Sequence, residues 1–131
     1  MSMRTLEYST GERIITSGDS DKRMYIILEG NVQIKLRDGK DSVIVAELGR
    51  SDFFGEMSIF CNTTRSADVI AINNVKLAYI ESLQQLNKFL TANPSFAAKM
   101  VKVLAERLAK TDDLLIGIVS EVNKLKIQYS K

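Results

Sequence analysis

At Ser82 the hydrophobic period of this 131-residue chain changes, and that change limits the folds open to it. Before Ser82 apolar residues tend to alternate with polar ones and are broken every few residues by turns. After it they return every three or four residues. A period of two places alternate side chains on one face of a strand, whereas a period near 3.5 makes a stripe along a helix. The chain is therefore read as a β-rich part followed by a helical part.

Strand candidates in the first part are Met24–Glu29, Val32–Arg37, Ser42–Leu48, Ala67–Ala71 and Val75–Ile80, with a further strand end at "RII". Val32, Ile34 and Leu36 alternate with Gln33, Lys35 and Arg37, the pattern of a half-buried strand. "RDGKD" marks a hairpin, because Asp-Gly accepts the positive φ angles of a tight turn. Seven or eight short strands at this spacing predict a mainly β fold, an antiparallel barrel or jelly roll. An open sheet of so many strands would leave long unpaired edges.

In the second part "SLQQLNKFLTAN" predicts a short helix with Leu83, Leu86, Phe89 and Leu90 on one side. Asn93-Pro94 reads as an N-cap followed by proline in the first helical position. No other proline occurs in the chain. Val101, Leu104, Leu108, Thr111, Leu115, Ile118, Val122, Leu125 and Tyr129 then alternate at spacings of three and four, a heptad seam with Thr111 as its one polar member. A helix of about 35 residues is ~50 Å long, more than so small a barrel can cover. The expectation is a coiled-coil homodimer through this helix, against the alternative of a helix folded onto its own barrel. The division expected is 1–93 for the β core with its short helix and 94–131 for the long helix, within one domain.

Composition narrows the chemistry. The chain has no histidine and one cysteine, Cys61. Histidine-based triads, zinc hydrolases and histidine-ligated haem are thereby excluded, and no internal disulfide can form. A binding module without catalytic or metal-ligating residues is favoured over an enzyme. The N-terminal "MSMRTLEYS" lacks the apolar core of a secretory signal, and no apolar run approaches a membrane span, so the expected location is cytoplasmic. Residues 95–131 carry seven Lys/Arg against four Asp/Glu, too sparse a basic face for a nucleic-acid reader.

The stretch with chemical content is "FFGEMSIFCNTTRSADVIA", Phe53–Ala71. If Gly55 opens a short helical turn, the first backbone N–H groups of that turn face outward and favour an anion. Arg65 offers a planar fork of donors to two phosphate oxygens. Glu56 is itself an anion, and its natural partner beside a phosphate is a sugar hydroxyl. Ser58, Ser66 and Ala67 leave space and supply N–H and O–H donors. A triphosphate would call for a lysine, magnesium ligands and a longer glycine loop. The alternative for Glu56 and Arg65 is a structural ion pair.

"FFGEMSIFCNTTRSADV" resembles the phosphate-binding cassette of cyclic-nucleotide-binding domains, as found in the catabolite activator family and in protein kinase A regulatory subunits. "GERIITSGD", "MYIILEGNVQI" and "AELGRSDFFGE" resemble the family's strand and turn signatures in order and spacing, and the resemblance covers about residues 5–112. Thr64 stands where many relatives have proline. The resemblance implies an antiparallel β jelly roll (double-stranded β-helix), then a short helix and a long C-terminal dimerisation helix. It implies that Glu56 holds the ribose 2′-hydroxyl and Arg65 the cyclic phosphate, with Gly55, Met57, Ser58, Ser66 and Ala67 completing the ligand-binding cassette. Thr111 and Asp112, in "ERLAKTDDLL", would meet the base.

The implied ligand is cyclic AMP, with cyclic GMP and cyclic di-GMP as alternatives; no other cofactor is implied. Ligand binding would draw the long helix over the base as a lid. A cyclic-nucleotide hydrolase and a non-nucleotide jelly-roll module are the rival classes. Whether the chain is part of a larger regulator is left open.

Overall fold

The computed structural model describes residues 3–61 and 63–129, with the side chains of 111–118, 121, 122 and 125–129 outside the description. The chain divides into two compact units, residues 1–87 and 88–131. Among the described residues the first unit holds eight strands in two four-stranded antiparallel sheets. The strands are β1 (Thr5–Tyr8), β2 (Arg13–Ile15), β3 (Met24–Glu29), β4 (Val32–Asp38), β5 (Asp41–Leu48), β6 (Phe53–Phe54), β7 (Asp68–Ala71) and β8 (Val75–Ile80). One sheet runs β1-β8-β3-β6 and the other β2-β7-β4-β5. This is the mainly β architecture that the alternating pattern predicts.

The core is the apolar face shared by these sheets. Tyr25, Ile27, Val32, Phe54, Val69 and Leu77 are all buried within it. Tyr25 stacks on Phe54, with ring centroids 5.1 Å apart. That contact follows from register, since Tyr25 lies opposite Phe54 and Ile26 opposite Phe53. β5 is the outer strand of its sheet, and its Val43, Ile44 and Val45 are exposed.

The hairpin between β4 and β5 turns one residue later than the Asp-Gly reading implies. Asp38 pairs with Asp41, so the two loop residues are Gly39 and Lys40. Only Gly39 takes a positive φ, 62°. Glycine at the first loop position is the preference of a type II′ turn rather than of the Asn-Gly or Asp-Gly type I′ turn.

Between β6 and β7 lies α1 (Glu56–Phe60), and after β8 come α2 (Leu83–Ala92) and α3 (Pro94–Tyr129). Ser82 and Gln85 start α2 much as a capping box does. The Gln85 N–H donates to Ser82 Oγ at 3.2 Å, and the Gln85 side chain accepts from the Glu81 N–H at 2.8 Å. Asn93 does something different from the expected side-chain cap. Its carbonyl accepts the Ala97 N–H, but its side-chain amide donates backward to the Phe89 carbonyl at 2.9 Å and closes α2. Within the second unit Phe89 and Phe96 meet edge to face, with centroids 5.1 Å apart.

α3 has 36 residues, about 54 Å at the usual rise. Of the heptad seam, Val101 and Leu108 are exposed and Leu104 is half-buried, while the seam side chains from Thr111 onward lie outside the described residues. No described helix is long and apolar enough to cross a membrane.

Candidate functional site

The site is built from the loop on either side of α1 and from the turn between β2 and β3. Phe53 and Phe54 are buried against β3, and this anchors the chain just before Gly55. The approach is braced by the Ile27 N–H donating to Asp52 O at 2.9 Å and the Ser51 N–H donating to Ile27 O at 2.8 Å. Gly55 caps α1 with φ 83°, in the left-handed region that costs a side chain strain. A Cβ there would also fall 2.7 Å from Arg23 O and 2.8 Å from Arg65 Nη1. A glycine opening such a turn could leave room for a ligand to approach the backbone. In the structure it is the chain's own carbonyl and guanidinium that claim the space.

Arg65 is the centre of the arrangement. It is buried, with 6% of its surface exposed, in the segment three residues before β7. Its backbone is held on both sides: its N–H donates to Asp19 O at 2.7 Å, and its carbonyl accepts the Gly18 N–H at 2.8 Å. Nη1 donates to Gly55 O at 3.0 Å, and Nη2 donates to the Arg23 carbonyl. Nη2 also reaches Asp21 Oδ2 at 3.4 Å, a long ion pair whose carboxylate is 39% exposed. Among the described residues Nε has no hydrogen-bond partner, and it is the one buried side-chain nitrogen or oxygen in that condition. An unsatisfied buried donor on a cation is costly, on the order of 1–3 kcal/mol, and such an atom asks for an acceptor.

Glu56, the first residue of α1, is buried, as is Ser58 in the same turn. Arg65 Nη1 thus meets Gly55 at the start of α1, the short helix in which Glu56 and Ser58 are buried. Met57 is exposed on the outer side of α1; Ser66 is exposed and Ala67 half-buried in the strand approach after Arg65. The side chains of Thr111 and Asp112 lie outside the described residues.

Several participants escape a sequence reading. Asp21 links Arg65 to Tyr25, whose hydroxyl donates to Asp21 Oδ2 at 3.2 Å. Burial, with Asp21 and Tyr8 nearby, pushes the Tyr25 phenol up to about 12. Arg23 lies over the Tyr79 ring at 4.6 Å and reaches Glu81 at 3.6 Å, while its carbonyl serves Arg65. Asp68, buried at the head of β7, accepts both Arg37 Nε at 2.9 Å and Arg37 Nη2 at 3.1 Å. Arg37 and the Ser17 N–H hold the Asp68 carboxyl below its usual range. The one available sequence signal was a lone carboxylate inside "ADVIA".

The arrangement can hold an anion on a buried guanidinium, and the adjoining α1 carries a buried carboxylate, a group able to accept from a hydroxyl. Among the described residues no three His, Cys, Asp or Glu side chains gather as a metal site.

Comparison with known proteins points the same way. Residues 5–93 match the family model of the cyclic nucleotide-binding domain. The chain is 28% identical over 119 residues to a CRP-like cAMP-activated global transcriptional regulator of Mycobacterium tuberculosis, covering 89% of this chain and 52% of that regulator. The catabolite activator protein of Thermus thermophilus superposes with a TM-score of 0.74 at 26% identity, over 90% of this chain and 55% of that one. The EAL enzyme Bd1971 in its cAMP-bound form superposes with a TM-score of 0.62 at 30% identity, over 84% of this chain and 30% of that one. Its cGMP-bound form gives 0.62 at 27% identity, over 93% and 32%. The chain thus spans about half the length, or less, of these relatives.

Proposed function

The chain belongs to the cyclic nucleotide-binding domain family, and from that premise we propose that it is a cyclic AMP sensor that grips the cyclic phosphate with Arg65. The observation carrying this reading is Arg65 itself, a buried guanidinium whose Nε has no partner among the described residues. Asp21 offsets that charge only through a long, half-exposed contact. A cyclic phosphate supplies one negative charge and acceptor oxygens of the right geometry for a guanidinium edge.

Glu56 takes the ribose 2′-hydroxyl, because a carboxylate near a phosphate can accept from a hydroxyl but would repel a second anion. Gly55, Met57, Ser58, Ser66 and Ala67 complete the cassette around them. Thr111 and Asp112, on α3, meet the adenine amino group, with residues 94–131 acting as lid and as the surface for a second copy of the chain. The proposed output is a shift of α3 when nucleotide binds, which requires the nucleotide to favour the closed arrangement by its own differential affinity. Cyclic GMP is the competing ligand, since one relative is solved with each nucleotide and Asp112 also suits the paired N–H donors of guanine. The chain is proposed to regulate rather than to catalyse.

Titration calorimetry with cyclic AMP, cyclic GMP and cyclic di-GMP tests the reading. Tightest binding of cyclic AMP is expected. A chain that takes up none of the three is not a nucleotide sensor.

A further inference from the structure

We propose that Asp68 is a positioning residue for Arg65, acting through the turn at residues 16–19. The proposal rests on Arg65 being the phosphate contact, as argued above. Two consecutive amides of that turn point to two different anchors. The Ser17 N–H donates to Asp68 Oδ1 at 2.8 Å, and the Gly18 N–H donates to the Arg65 carbonyl at 2.8 Å. The turn closes on itself through the Asp19 N–H, which donates to Thr16 O at 3.1 Å, and Asp19 O accepts the Arg65 N–H at 2.7 Å. Arg65 therefore has both of its backbone groups tied to a turn that leaves β2 and whose Ser17 amide is held in place by the Asp68 carboxylate.

Asp68 is in turn oriented by Arg37 from the neighbouring strand. Both carboxylate oxygens are used, Oδ2 by Nε and Oδ1 by Nη2. A bidentate pair of this kind fixes direction as well as distance. The other charged groups around it are Arg13 on β2, Lys35 opposite Asp68 in the β4–β7 register, and Asp19 near Arg37. The consequence reaches the guanidinium, because Nη1 and Nη2 bond fixed carbonyls of Gly55 and Arg23. A small drift of the Arg65 backbone alters both bonds and re-aims Nε.

The test compares the wild-type chain with Asp68→Asn and Arg37→Met, using amide hydrogen exchange together with calorimetry on cyclic AMP and adenosine. In Asp68→Asn the Arg65 and Gly18 amides are expected to exchange about tenfold faster, while Ile26 and Leu77 in the other sheet keep their protection. Cyclic AMP should bind about tenfold more weakly, and adenosine, which lacks the phosphate, should bind as before. Arg37→Met should shift the same readouts in the same direction by less. Since the Arg37 side chain is half exposed, that variant carries the test if Asp68→Asn does not fold.

Unchanged protection at Arg65 overturns the proposal, as does equal weakening toward cyclic AMP and adenosine. Uniform loss of protection across both sheets makes Asp68 a general structural pin and overturns it too. A wild-type chain that binds no cyclic nucleotide overturns the functional reading instead, and the exchange rates then still decide whether Asp68 holds Arg65.

Discussion

Arg37 gives Nε and Nη2 to both oxygens of a buried aspartate, although its own side chain is 47% exposed. Arg65 is almost wholly buried, yet it is served by two carbonyls and one distant carboxylate, with Nε left over. A chain building only for stability would be expected to do the reverse, pairing the buried cation first. On the proposed reading the difference separates a structural ion pair from a binding group: the first is complete within the chain, and the second keeps a direction open. The contacts of the Arg65 guanidinium among the described residues are Gly55, Arg23 and Asp21.

The largest expected effect comes from removing the open arginine. Arg65→Ala should cost roughly 2–5 kcal/mol of cyclic AMP affinity, because the phosphate would be enclosed without its charge partner. The circular dichroism spectrum should stay that of a folded β protein. Undiminished affinity would make Arg65 as structural as Arg37.

Gly55→Ala comes next. It forces φ 83° on a side chain and drives a Cβ toward Arg23 O and Arg65 Nη1. A loss of about 1–3 kcal/mol in stability is expected from the strain, read from denaturant midpoints, with weaker nucleotide binding alongside. A variant as stable as the wild type would mean that the Arg65 cradle is looser than these distances imply.

Asp21→Asn sharpens the comparison in the opposite direction. An anion at Arg65 competes with the Asp21 carboxylate for Nη2, so removing that charge should tighten cyclic AMP binding about two- to fivefold, the worth of a half-exposed ion pair. Weaker binding would show that Asp21 orients Arg65 more than it competes.

The smallest effect is expected from acid. Asp68 titrates below its ordinary 3.8 in the folded chain, so in that window the unfolded chain binds more protons and stability rises with pH. The contribution is fully present above 3.8 and is lost as the pH falls through the depressed folded value. Asp68→Asn should therefore flatten the acid limb of stability measured by circular dichroism. An unchanged limb would leave the Asp68–Arg37 pair without a measurable part in folding.

What the sequence made legible follows from how local each signal is. β4 and β8 announce themselves through alternation, and Gly55, Glu56 and Arg65 through a spacing within one short stretch. β6 is two residues long, too short to show a period, and it exists because Phe53 and Phe54 find β3. β1 has only four residues and pairs with β8, the last strand of the chain's β part. The groups that hold Arg65 are equally non-local. Asp21 is 44 positions away and Arg23 42, and Arg23 contributes a backbone carbonyl, which no residue type reveals. The Asp68–Arg37 bond likewise spans 31 positions and depends on β7 lying beside β4.

The most direct test of the open direction on Arg65 is the NMR signal of its Nε–H during titration with cyclic AMP and, separately, with adenosine. The account predicts that cyclic AMP moves this resonance downfield and slows its exchange with water, as a charge-assisted hydrogen bond forms, while adenosine leaves it in place. Saturable binding of cyclic AMP with an unmoved Arg65 Nε–H would contradict it.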